Sequence, residues 1–187
     1  MFASLLTALR LVVLTVAVLV AGYTALVLAV AQFAFPDRAA GQLVRRAGLV
    51  VGSRLIAQAF ADERYVWPRP SAVAHAADAS GGSNLPPTDP ALAARARARL
   101  AELGASPEHR APVDLVLASG SGLDPHVTLA AARWQAARVA RARGISSDAV
   151  MALVERVARD DGTWRQGLVN VLLLDLALDD AWPAGIR

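Results

Sequence analysis

Of the 187 residues of this chain, the stretch Ala118-Ser119-Gly120-Ser121-Gly122-Leu123-Asp124-Pro125-His126 holds the side chains best suited to chemistry. Small residues with free backbone N–H groups ahead of a helix can hold an oxyanion, so Ser119, Gly120, Ser121 and Gly122 are candidates for an anion nest. The competing reading, which the residues favour, is a structural turn: Asp124 hydrogen-bonds nearby backbone, and Gly120 or Gly122 supplies a positive φ. A nucleophile elbow would need glycine in place of Ser119, and a phosphate-binding loop would need a lysine. Ser121, Asp124 and His126 have the residue types of a hydrolytic triad. They stand too close in sequence for the usual alignment, in which an oriented histidine lies between the other two. His75, His109 and His126 lack metal-ligand spacing, and Asp160-Asp161 and Asp179-Asp180 read as solvated ends of elements. The expectation is therefore no catalytic residue and no metal.

Composition narrows the classes further. No cysteine is present, which removes thiol nucleophiles, disulfides and Cys-ligated zinc. All 19 basic residues are arginine, so a Schiff-base lysine is absent too. The net charge of +3 comes from arginines scattered among acids, which reads as a solvated surface and not a nucleic-acid face. Apolar residues make up 55% of the chain, high enough to call for a membrane segment.

That segment is Leu11 to Ala31, uncharged and interrupted only by Thr15, Gly22, Tyr23 and Thr24. As a helix it would span about 31 Å, close to a bilayer core. Ala29-Val30-Ala31 resembles a signal-peptide cleavage site, but the apolar run is too long and the start too weakly basic, which favours an uncleaved anchor over residues 1–35. Ala17, Ala21, Ala25 and Ala29 recur every four residues and form a small-residue stripe against which another membrane helix could pack. Arg38, Arg45, Arg46 and Arg54 after the span would by charge alone put the remainder in the cytoplasm, yet a domain of this size can cross regardless of charge. Charge leaves the orientation open.

Residues 36–187 read as one mixed domain, so the fold class is α+β: a single membrane helix followed by a body with a hairpin, about three helices and a long irregular loop. Gln42-Leu43-Val44 and Leu49-Val50-Val51 flank a turn containing glycine and predict the hairpin. Trp67 to Asp89, rich in proline and glycine, predicts a loop, with Tyr65 and Trp67 suggesting that it packs on the body. Asp89 with Pro90 opens a helix that Gly104 closes, Thr128 opens a second closed by Gly144, and Ser146 or Ser147 opens a third with Gly162 beyond its end. Val113 to Leu117 predicts a short buried strand. Val169 to Leu174 fits strand or helix.

Several segments, taken in order, resemble the C subunit of the Kdp potassium-transporting ATPase family. They are Gly52-Ser53-Arg54-Leu55-Ile56-Ala57-Gln58, Tyr65-Val66-Trp67-Pro68-Arg69-Pro70-Ser71-Ala72, Gly81-Gly82-Ser83-Asn84-Leu85, Ala118 to His126, Arg138 to Gly144, and Val169-Asn170-Val171-Leu172-Leu173-Leu174. Departures include Ala57 for a usual glycine, Pro86 for glycine, Val127 and Leu129 after the Asp-Pro-His, and Asp175 where asparagine is common. The resemblance implies a non-catalytic accessory subunit of an ATP-driven potassium importer. Its partners would be a P-type ATPase subunit, a potassium channel-like subunit and a small single-helix subunit. It implies a cell-membrane location with the N-terminus cytoplasmic and the C-terminal domain extracytoplasmic, and contact with ATP that raises the pump's affinity for it. The alternatives from the residues themselves are a membrane-anchored solute-binding module or a hydrolase using Ser121 and His126.

Overall fold

The structure, a computed structural model, describes residues 2–183. The chain divides into two compact units, with the boundary between Leu43 and Val44.

The first unit is dominated by helix α1, Phe2–Ala34, whose 33 residues extend beyond the run expected from hydropathy. Its middle, Val16–Gly22, is a π-helical segment. Apolar side chains cover it on every side, and none of its most apolar window is buried within the chain. Such a surface is stable only in lipid or against other apolar helices. Phe35 breaks the helix, and a single turn, Pro36–Ala39, follows.

The hairpin pairs strand β1, Leu43–Arg46, with strand β2, Leu49–Ser53. Ala47 and Gly48 both have positive φ (50° and 81°). That is the two-residue turn whose twist matches paired strands. Helix α2, Pro90–Glu102, starts where expected: the Asp89 carboxylate accepts the Ala91 N–H at 2.8 Å, with Pro90 in the first turn.

The body is centred on helix α3, Leu129–Arg143, and helix α4, Ser147–Asp160. Gly144, in the left-handed region, lets the chain reverse between them. Ala132, Ala136 and Ala140 face a core that includes Val150, Leu153, Val154 and Val157 of α4. The small side chains allow close helix approach, and each buried Val or Leu contributes about 1.5–3 kcal/mol relative to exposure. Strand β3, His126–Thr128, pairs antiparallel with strand β4, Leu168–Asn170, matching Val127 to Val169. Each strand runs straight into a helix and supplies its cap. Thr128 caps α3 through the Ala131 N–H, and Asn170 caps helix α5, Val171–Ala181, through the Leu173 N–H. The Val169–Leu174 run is thus strand for its first residues and helix for the rest, which adds a fourth helix to the body.

One expectation fails. Val113 to Leu117 is not a strand: Val113–Leu115 form a 3-10 turn, with Leu115 buried and Val113 exposed. The turn closes on the Pro112 carbonyl, to which Leu115 donates at 3.0 Å. Asp114 then turns its carboxylate to the Thr128 N–H at 2.8 Å, a polar contact at the start of α3 that outweighs the strand propensity of an isolated apolar run.

Candidate functional site

The irregular chain between Ala57 and Leu85 is held in place by side chains reaching out of the helices. Val66 is fully buried, and its N–H donates to Asp175 Oδ1 of α5 at 2.8 Å. The next residue is gripped on both sides by Gln135 of α3: the Trp67 N–H donates to Oε1 at 2.9 Å and Nε2 donates to the Trp67 carbonyl at 3.1 Å. Gln135 therefore behaves toward Trp67 as a neighbouring strand would. The Arg138 guanidinium lies 3.9 Å from the centroid of the Trp67 ring and donates to the carbonyls of Glu63 and Tyr65 and to Gln135 Oε1. One turn on, the almost buried Arg143 donates to the Arg64 carbonyl at 2.7 Å, to the Leu178 and Trp182 carbonyls, and to Asp179 at 2.8 Å. Two arginines and a glutamine thus fix the backbone of residues 63–67, which has no sheet to join.

The Ala118–His126 segment folds onto the same loop. Ser119 donates its N–H to the Pro70 carbonyl at 3.1 Å, and the Ser121 carbonyl accepts from Gly81 N–H at 2.8 Å and Ser80 Oγ at 3.1 Å. Gly122 has φ +69°, and a Cβ there would stand 2.8 Å from the Gly81 carbonyl oxygen and 2.6 Å from Val73. Across the junction, a Cβ on Gly82 would meet the Gly120 oxygen at 3.0 Å. The two glycine-serine stretches therefore pack backbone to backbone. Of the four nest candidates, Ser119 and Gly122 spend their N–H groups within this junction, and Gly120 and Ser121 are exposed on it.

Ser121 Oγ accepts the Leu123 N–H, and Asp124 accepts the His126 N–H at 3.0 Å and Arg69 Nη1 at 3.0 Å. Burial works to raise the Asp124 pKa, but the bonds from His126 and Arg69 outweigh it and hold the carboxyl below its ordinary value. Ser121, Asp124 and His126 form a turn and a brace, not a relay from serine to histidine.

Beneath Trp67 lies a cavity of about 260 Å³ lined in part by Arg69, His75, Arg99 and Glu102. The Nε of Arg69 has no hydrogen-bond partner there. Arg99 is engaged with the Leu115 carbonyl and Glu102. Among the described residues no group of three or more His, Cys, Asp or Glu side chains is arranged to hold a metal.

Ala17, Ala21, Ala25 and Ala29 lie exposed along α1. On a pure α-helix a spacing of four drifts by about 40° per step. The π segment bonds i to i+5 and turns less per residue, so between Ala17 and Ala21 it opposes that drift and straightens the stripe.

Sequence reasoning gave no role to Gln135, Arg138, Arg143 or Asp175 individually. The available signal was polarity in the wrong place. Gln135 sits within the apolar stripe of α3, and Asp175 is the one charge in the run from Val169 to Leu178.

Comparison with known proteins gives a consistent result. The family described as KdpC: K+-transporting ATPase, c chain, matches residues 5–180. A Potassium-transporting ATPase KdpC subunit of Parvibaculum lavamentivorans is 46% identical over 185 residues, covering 97% of this chain and 99% of that one. The protein of the same description from Sorangium cellulosum is 54% identical over 167 residues, covering 85% and 88% of the two chains. The one from Methylibium petroleiphilum is 50% identical over 171 residues, covering 86% and 88%.

Proposed function

The chain belongs to the K+-transporting ATPase c-chain family, and from that premise we propose that it is a non-catalytic accessory subunit that holds a potassium-importing complex together. The observation that carries this reading is helix α1, 33 residues long, whose most apolar window has no cover from its own chain. A lone anchor needs only length and hydrophobicity. A stripe of four alanines, straightened by a π segment, additionally suits close packing against another membrane helix. The body supports the same reading. Its irregular loops are braced from behind by Gln135, Arg138 and Arg143, so they present a fixed shape without a reactive group at its centre. A rigid surface of this kind suits binding a partner with little loss of conformational entropy. The partners in this reading are an ATP-hydrolysing subunit, a potassium-translocating subunit and a small single-helix subunit, with the body on the extracytoplasmic side.

The test is copurification in mild detergent. Ala21→Leu should cut recovery of the partner subunits several-fold while the protein itself stays in the membrane. Full recovery would remove the alanine stripe from the interface.

Direct contact with ATP is a second reading, which requires the opposite orientation with the body on the cytoplasmic side. It is supported by the cavity beneath Trp67, where Arg69, Arg99 and His75 offer positive and hydrogen-bonding groups beside an aromatic face. In the assembled complex, Arg69→Gln should then raise the ATP concentration for half-maximal hydrolysis several-fold. An unchanged value would discard this cavity as a nucleotide site.

A further inference from the structure

A cavity of about 240 Å³ on the body is bordered by Gln58 and Asp175, and each carries one buried side-chain oxygen that accepts nothing. Asp175, only 2% exposed, receives the Val66 N–H on Oδ1, while its Oδ2 has no hydrogen-bond partner. Gln58 donates Nε2 to the Val51 carbonyl at 3.0 Å, which fixes its amide and leaves Oε1 as the second partnerless acceptor. Two acceptors bordering one cavity cannot satisfy each other, and a buried polar atom without a partner is costly.

The charged groups around the cavity are committed elsewhere. From α5, Asp179 takes Arg143 at 2.8 Å and the Tyr65 hydroxyl at 3.0 Å. From the hairpin, Arg46 pairs with Asp179 at 3.5 Å and with Asp180. From α3, Arg138 and Arg143 direct their guanidinium bonds to the carbonyls of the 63–65 segment, to Gln135, to the end of α5 and to Asp179. Among the described residues no donor reaches Asp175 Oδ2 or Gln58 Oε1.

We infer that Asp175 is a carboxylic acid that keeps its proton at neutral pH and donates it to Gln58 Oε1, tying the chain after β2 to α5. One proton removes both deficits, because it turns Oδ2 into a donor while Oε1 remains an acceptor. An asparagine in this place would supply an N–H in the same direction, so the acid behaves as its neutral isostere. Burial favours the same state: it pushes the Asp175 carboxyl well above its ordinary value, against the opposing effects of the Val66 N–H and of the Arg143 and Arg138 charges, with Asp179 adding to the rise. The device is pH-sensitive. Loss of the proton sets a carboxylate against an amide oxygen and loosens the link between Gln58 and α5.

The sign follows from linkage. The unfolded chain loses this proton near the ordinary Asp value, whereas the folded chain keeps it to higher pH. The native state therefore holds more protons, and stability falls as pH rises from the ordinary Asp value up through the folded one.

The experiment uses the full chain in detergent. Infrared spectra at neutral pH should show a protonated-carboxyl carbonyl band that Asp175→Asn removes. The wild-type unfolding midpoint should fall between about pH 5 and about pH 8, while the midpoint of Asp175→Asn falls less. The variant keeps the bond to Val66 through Oδ1. If it does not fold, titration of the wild-type band decides alone. No such band at neutral pH, or parallel midpoints for the two proteins, overturns the inference. So does a wild-type midpoint raised by potassium or sodium over choline at equal ionic strength in the absence of the band, because a cation would then occupy the place assigned to the proton.

Discussion

At the scale of single residues, the protein spends its buried polar groups on holding backbone. Gln135 is fully buried, yet both ends of its amide are used: one accepts from Trp67 and Arg138, the other donates to the Trp67 carbonyl. Gln135→Leu keeps the volume roughly equal and orphans the Trp67 N–H and carbonyl together. With about 1–3 kcal/mol for each unpaired buried group, the expected loss is about 3 kcal/mol in urea unfolding. The same variant should expose Trp67 to collisional quenchers, since Arg138 would lose one of the anchors that keep it over the ring. A loss below about 1 kcal/mol would mean that Trp67 is held by apolar packing and not by the amide. Gln135 was readable in the sequence as an oddity in an apolar stripe. Its partner was not, because the two residues are 68 positions apart and nothing local links them.

At the scale of elements, the contrast between neighbouring glycines tests the loop junction. Gly122 has a positive φ, and an added Cβ would press on the Gly81 backbone oxygen, which cannot move without opening the junction. Gly120, two residues earlier, faces open space. Gly122→Ala should therefore destabilise the body by about 2–3 kcal/mol, combining left-handed strain with a backbone clash, whereas Gly120→Ala should change it by under about 0.5 kcal/mol. Thermal unfolding of the two variants distinguishes a packed junction from a tolerant loop; equal effects would contradict the close approach. Three of the body's four helices, α2, α3 and α4, were legible from their caps. Asp89, Thr128 and Ser146 cap the helices they were expected to cap, because an N-cap bond spans only two or three residues. The Val113–Leu117 strand was not, because a strand exists only if another backbone pairs with it. Here Pro112 and the Asp114 bond to Thr128 gave that segment a different use.

At the scale of the whole molecule, the two units pose different problems to water. The body buries its own core of Ala, Val and Leu, centred on α3, α4 and α5. Helix α1 has no such cover, and its apolar stretch is about the length a bilayer requires. The expected loss of partner recovery in Ala21→Leu belongs to this scale. Adding a bulky side chain to a lipid-exposed helix costs nothing in lipid, so any loss of recovery reports contact with another protein surface.

The sequence by itself determined the long apolar helix, the hairpin turn, the starts and stops of α2, α3 and α4, and, through six ordered segments, the family. Each of these depends on hydropathy summed over a window, on bonds spanning a few residues, or on the order of short motifs along the chain. Only the tertiary structure decided that the Tyr65–Pro70 and Gly81–Leu85 segments pack on the Ala118–His126 turn, and that Gln135, Arg138 and Arg143 brace them. It also decided that Asp175 and Gln58 border one cavity, each with one oxygen that has no hydrogen-bond partner. Those relations join residues tens of positions apart, and what an individual polar side chain does there depends on which donors and acceptors folding has left within its reach.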